Sequence, residues 1–254
     1  MPYREDRGLQ NRLGIVPCEF NPFPEVNYAP DPTDYLVTKG YWQATTEVPR
    51  FQDPDYPEGM ITDTLRNHLL RSIDLIRQMN LPTELLQRVE RIILIHDLPE
   101  VATGDTPAVM KQELGIDRVQ DETEAASVML TDLVDIQLYE DFESARVFLK
   151  SGDSVQLPSA AALIARLTEQ IESNMFFHQN LHDWLKAGNT KIPRERAIKW
   201  TFVQAHDYQI AIEQVEDGEL RQLLLDVLNF EIDWVKNLWQ IDDTPVPQAV
   251  AENL

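Results

Sequence analysis

The sequence predicts an all-α protein, a helical bundle preceded by an irregular, proline-rich arm. Three observations lead there. From Ile61 onward, apolar residues recur at spacings of three to four, the period of a helix with one buried face. Short β-rich alternation closed by turn dipeptides, the signal of a strand, is nearly absent. Nine of the 16 prolines fall in the first sixty residues, in stretches such as "PCEFNPFPEVNYAPDP" and "VPRFQDPDYPEG", where missing N–H donors and fixed φ oppose long helices.

Taken in order, residues 1–58 form the arm. Its aromatics (Phe20, Phe23, Tyr28, Tyr35, Tyr41, Trp42) are denser than disorder allows, so the arm is expected to pack on the domain. Residues 59–240 make up the helical domain. Its first helix, "ITDTLRNHLLRSIDLIRQM", aligns Ile61, Leu65, Leu69, Ile73 and Ile76, with Thr62 or Asp63 as the expected N-cap. The next, "PTELLQRVERIILIHD", opens at Pro82 and carries Leu86, Val89, Ile92, Ile93 and His96 along one stripe. Further helices are expected over residues 116–134, 140–150, 159–180, 193–216 and 219–239. The tail, 241–254, reads as disordered, and no internal repeat is present.

A chain of 254 residues suits one domain with extensions. With 22 Lys plus Arg against 43 Asp plus Glu, the net charge of -21 opposes docking on nucleic acid or an anionic membrane. A small phosphorylated substrate stays open, because a metal ion and one or two arginines can reverse the potential inside a pocket. One cysteine, Cys18, allows no intrachain disulfide, and the N-terminus has no apolar h-region. A soluble, cytoplasmic protein is expected.

His-Asp occurs three times. His182-Asp183 and His206-Asp207 have no acidic or histidine cluster around them in sequence, and a solvated surface role is expected for both. His96-Asp97 differs, because His96 lies on the apolar stripe and His68 holds a similar place on the preceding helix. An antiparallel helix pair would bring both imidazoles to one point. Two imidazoles and a carboxylate between helices suit one divalent ion such as Mn, Co, Fe, Ni or Zn. Glu100 follows Asp97 by one turn, and Gly104 permits a bend that returns Asp105 to the same pocket. Burying so many ionisable groups beside an aliphatic run would be costly without a cation.

His68, then His96-Asp97, then "EVATGDTPAVMK" resembles the HD-domain metal-dependent phosphohydrolases, and most of all the 5'-deoxynucleotidase branch. The detailed similarity spans roughly residues 50–174, and its specific part is TGD in register with HD. The resemblance implies an HD-type helical bundle in which His68, His96 and Asp97 are metal ligands, Glu100 is the acid/base residue and Asp105 holds the attacking water. The family's fourth ligand is an aspartate on a later helix. Here that position falls on Glu169, with Arg166 where a lysine is usual, a departure that moves the carboxylate by about a bond length. Arg50 and Phe51 stand where the family has an arginine that grips phosphate and an aromatic, and a guanidinium fork suits a phosphate dianion.

The reading this supports is removal of phosphate from (deoxy)ribonucleoside 5'-monophosphates at a single metal ion. Two alternatives stay open. One is a deoxynucleoside triphosphate triphosphohydrolase, which would draw on further cations such as Lys111, Arg66 and Arg71. The other is a degenerate HD domain serving as a nucleotide-binding or interaction module. No histidine lies between Asp97 and Glu169, which disfavours two-metal oxygenase chemistry. The partner expected is a small nucleotide, not nucleic acid or membrane; the resemblance and the long apolar C-terminal helices leave room for a homodimer.

Overall fold

The computed structural model describes residues 35–50, 63–79, 81–105, 118–133, 136–152, 156–188 and 194–241. Phe20, Phe23, Tyr28, Phe51, Lys111 and the tail beyond 241 lie outside them. The architecture is an all-α bundle, with no strand among the described residues.

Helix starts follow the chain's capping chemistry. A short turn, α1 (Tyr41–Ala44), precedes α2 (Leu65–Arg77), whose N-cap is Thr64; its hydroxyl accepts from the Asn67 N–H at 3.4 Å. The cap is therefore neither Thr62 nor Asp63. Thr62 lies outside the described residues, and the Asp63 carboxylate is taken by Arg71 instead. Next, α3 (Thr83–His96) starts directly after Pro82, as the sequence indicated, and α4 (Glu100–Thr103) is a single turn. Then come α5 (Arg118–Met129), α6 (Ile136–Ser151) and α7 (Ala160–Lys186), the last capped by Ser159, whose hydroxyl accepts from the Ala162 N–H at 3.2 Å. The bundle finishes with α8 (Arg194–Glu213) and α9 (Gly218–Trp239); the Asp217 carboxylate accepts from the N–H groups of Glu219 and Leu220 at the start of α9.

Boundaries differ from expectation where the apolar period continues past a polar residue. The helix expected over 159–180 runs on to Lys186, because Leu181, Trp184 and Leu185 continue to meet apolar neighbours and no chain breaker intervenes before Gly188 at φ 90°. The helix expected over 140–150 begins earlier, at Ile136, and that expected over 116–134 ends at Met129, residues 116, 117 and 134 lying outside the described residues.

The longest helix, α7, is the axis of the bundle and packs against α2, α3, α6 and α9. Its first half is buried nearly all round (Ala161, Ala162, Leu163, Ile164, Ala165, Leu167, Ile171), so it lies inside the main core, while Leu181 joins Ala197, Val235 and Trp239 in a second cluster at its far end. From α2, Leu65, Leu69, Ile73 and Ile76 all point into the main core, joined by Val89, Ile92 and Ile93 from α3.

Part of the arm is anchored on this frame. Leu36 is fully buried, the Tyr35 hydroxyl donates to the Met129 carbonyl at 2.6 Å, and Lys39 pairs with Asp132. Pro49 and Thr64 form an antiparallel bridge. The Arg66 guanidinium bonds the Trp42 carbonyl and lies 4.6 Å from the Trp42 ring. Among the described residues, no helix is long and apolar enough to cross a membrane.

Candidate metal centre

The end of α3 meets α2 and α7 at one point. Burial of Ile92, Ile93, Leu94 and Ile95 leaves α3 little freedom, and the helix stops at His96 because the Asp97 N–H bonds the Ile95 carbonyl, breaking the ladder. The Ile93 carbonyl then accepts from His96 Nδ1 at 2.8 Å. A carbonyl can only accept, so Nδ1 carries the hydrogen and Nε2 presents a lone pair.

His68, fully buried on α2, is fixed in the same sense by another partner. Its Nδ1 meets the Glu172 carboxylate of α7. Burial works against ionisation of Glu172, but Arg71 and His68 outweigh it and bring its pKa to about 2. An ionised carboxylate only accepts, so His68 also turns an Nε2 lone pair inward.

Both lone pairs face one carboxylate. Asp97 Oδ1 lies 3.0 Å from His96 Nε2, and Oδ2 lies 3.4 Å from His68 Nε2, while the two imidazole centroids are 5.9 Å apart. Neither Nε2 has an aligned hydrogen-bond partner, although both are buried. Electron pairs gathered this closely repel one another unless a proton or a metal cation sits among them. With such a proton on an imidazole, attraction to His96 and His68 outweighs burial and holds the Asp97 carboxyl well below the usual range.

Glu169 completes the cluster. It is 8% exposed, not solvent-facing, and one carboxylate oxygen lies within 4.8 Å of a nitrogen from each histidine. Glu169 thus reaches the point where the two imidazoles converge. Its carboxylate also pairs with Arg166 one turn earlier. Two imidazoles and two carboxylates, with the negative end of α3 beside them, make a donor set that fits a borderline divalent ion.

Around this cluster stand the other residues singled out in sequence. Gly104, at φ 76° and ψ 149°, occupies backbone space that essentially only glycine takes, and it turns the chain so that Asp105 comes back to the site. Arg50 Nε lies 3.8 Å from Asp105 Oδ2 and its NH1 lies 3.7 Å from Asp97 Oδ2; its NH2 donates to Ser173 Oγ at 3.3 Å. Burial opposes the charge on Arg50, yet Asp105, Asp97 and Glu100 overcome it and raise the pKa further. Glu100 is thereby near Arg50, half-buried at the start of α4. Phe51 falls outside the described residues.

The other two HD pairs stay apart from this centre. His206 and Asp207 are exposed on α8. His182 packs edge-on against Trp239 at 5.2 Å, about 20 Å along α7 from Glu169 at the usual helical rise. Glu172 and Ser173 carry no expectation from the sequence, whereas Asp63, expected as a cap, and Arg71, expected as a phosphate cation, pair with each other instead. For Glu172 a signal existed: it follows Glu169 by three residues and so shares its face of α7.

Compared with known proteins, residues 76–146 match a family model described as HD domain, and no curated protein or solved structure matches the chain. That segment contains His96, Asp97, Glu100 and Asp105; His68 and Glu169 lie on either side of it. Similarity to the HD domain, together with the His68, His96 and Glu169 cluster, supports a metal-dependent phosphohydrolase.

Proposed function

We propose that this protein hydrolyses the phosphomonoester of a (deoxy)ribonucleoside 5'-monophosphate at a single divalent metal ion. The observation that carries the metal is the convergence of two buried, tautomer-fixed Nε2 lone pairs on the Asp97 carboxylate. His68, His96, Asp97 and Glu169 would hold the ion, which when bound supplies Lewis-acid chemistry by acidifying a water and drawing charge from a phosphate oxygen. Arg50 offers its fork to the phosphate and keeps that charge neutralised as the ester breaks. Asp105 orients the attacking water, and Glu100 moves the proton that ends on the leaving 5'-oxygen. Water oxygen bonds to phosphorus as the ester bond breaks, so no covalent enzyme intermediate is needed.

Arginine bookkeeping favours a monophosphate over a triphosphate. Arg71 is buried between Asp63 and Glu172, and Arg66 is bound to Trp42 and Thr45, so neither is available for extra phosphates. A degenerate binding module is the second reading. What favours it is the Arg166–Glu169 pair, which occupies a carboxylate that the ion would need.

The test is phosphate release from a panel of deoxy- and ribonucleoside mono- and triphosphates by metal-stripped protein resupplied with Mn, Co, Fe, Ni or Zn. Release from monophosphates, lost in His96→Ala, is expected. Nucleotide binding without release under any metal would overturn the enzyme in favour of the module, and release of triphosphate would overturn the substrate.

A further inference from the structure

We propose that Glu172, backed by Arg71 and Asp63, is a positioning group that aims His68 at the metal ion and ties it to the strand-like segment carrying Arg50. This rests on the metal reading above. The four side chains form one buried line. Glu172 is fully buried and uses both oxygens, one on His68 Nδ1 and one on Arg71 Nε. Arg71, 2% exposed, gives its other two nitrogens to Asp63 as a fork, NH1 to Oδ1 at 3.0 Å and NH2 to Oδ2 at 2.6 Å. Its guanidinium carbon lies 3.7 Å from the Phe176 ring centroid, so the plane is held from its face as well.

At its other end the line reaches the phosphate arginine. The Asp63 carbonyl accepts from the Arg50 N–H at 3.1 Å, beside the Pro49–Thr64 bridge. The side chain of Asp63 thus orders Arg71 while its backbone places Arg50. Metal ligand and phosphate grip are set by one residue pair.

Charge gives the line a direction. Two carboxylates and one guanidinium leave one buried negative charge, and it is delivered at His68 Nδ1. Hydrogen bonding to an anion makes the opposite nitrogen a stronger donor, and outer partners of this kind are typically worth 10- to 100-fold in metal affinity. A plain clasp between α2 and α7 would need no imidazole at its end. His96 provides the contrast, because a neutral carbonyl fixes its tautomer.

The experiment compares wild type with Glu172→Gln and Asp63→Asn in the full chain, each checked for cooperative melting. Histidine 15N shifts of the metal-free protein report the tautomers, and a Co(II) titration followed by its visible absorption reports affinity. Wild-type His68 is expected as the Nδ1–H form. Glu172→Gln is expected to mix the His68 tautomers and weaken Co(II) by 10- to 100-fold, with His96 unchanged; Asp63→Asn, one link further out, should weaken it several-fold. If Glu172→Gln does not fold, Asp63→Asn decides alone. A folded variant with an Nδ1–H His68 and Co(II) affinity within about twofold of wild type overturns the inference while leaving the metal site intact. Wild type that takes up no Co(II) overturns both.

Discussion

Glu231 allows the energetics of this bundle to be tested quantitatively. It is 1% exposed on α9, and its carboxyl accepts a hydrogen bond from Asn174 Nδ2 at 2.6 Å. Burial raises its pKa from 4.5 to about 8, the Asn174 bond recovering only part of the cost. The folded state therefore keeps a proton that the unfolded chain gives up between those two values. The associated stability is present in full below pH 4.5 and is lost as pH rises through 8. At roughly 1.4 kcal/mol for each tenfold change in proton affinity, the loss between pH 5 and pH 8.5 is about 4 kcal/mol. Glu231→Gln keeps the shape and an acceptor for Asn174 but does not titrate. Urea unfolding of both proteins with chelator present, at pH 5, 6, 7, 8 and 8.5, cancels every other titrating group. The variant should gain on wild type steadily, by about 4 kcal/mol across the range. A difference that stays flat within about 1 kcal/mol would refute the reasoning.

Four further outcomes are expected. His178 accepts from Trp239 Nε1 at 3.0 Å on Nδ1 and so donates from Nε2 to Thr201, and burial lowers its pKa to about 4; its NMR titration should show a neutral ring above pH 5, and its share of stability should fall as pH drops from 6.5 toward 4. Gly104→Ala forces a side chain into glycine-only backbone, costs about 1 to 3 kcal/mol in unfolding measurements and lowers kcat by displacing Asp105. If Arg50 grips the phosphate as proposed, Arg50→Ala should lower kcat/KM by about one to two orders of magnitude, mostly through KM. Ile93→Ala opens a cavity in the main core and should cost about 2 to 5 kcal/mol by denaturant unfolding.

The bundle was legible because α2 and α3 keep one apolar stripe each, and that same stripe exposed His96 as a histidine in an aliphatic position. The turn at Gly104 was readable for a similar reason: few other residues accept that backbone. The support behind His68 was not. Asp63, Arg71 and Glu172 are charged residues that sequence patterning assigns to the surface, and only the packing of α7 against α2 shows that they neutralise one another. Asp63 resembles a cap in sequence because it precedes a helix, but the neighbouring Thr64 takes that role and leaves the Asp63 carboxylate for Arg71. The far end of α7 is hidden in the sequence because "HQNLHD" is polar, whereas Leu181, Trp184 and Leu185 pack in a cluster with Trp239, more than fifty residues away.

On the proposed function, one divalent ion is held between α2, α3 and α7 by His68, His96, Asp97 and Glu169. An anomalous-difference map from crystals grown with Mn(II) tests it most directly. A single peak is expected in contact with both Nε2 atoms, Asp97 and Glu169, with Glu169 drawn away from Arg166. No peak there, or one that leaves Glu169 on Arg166 and His68 out of reach, would contradict it.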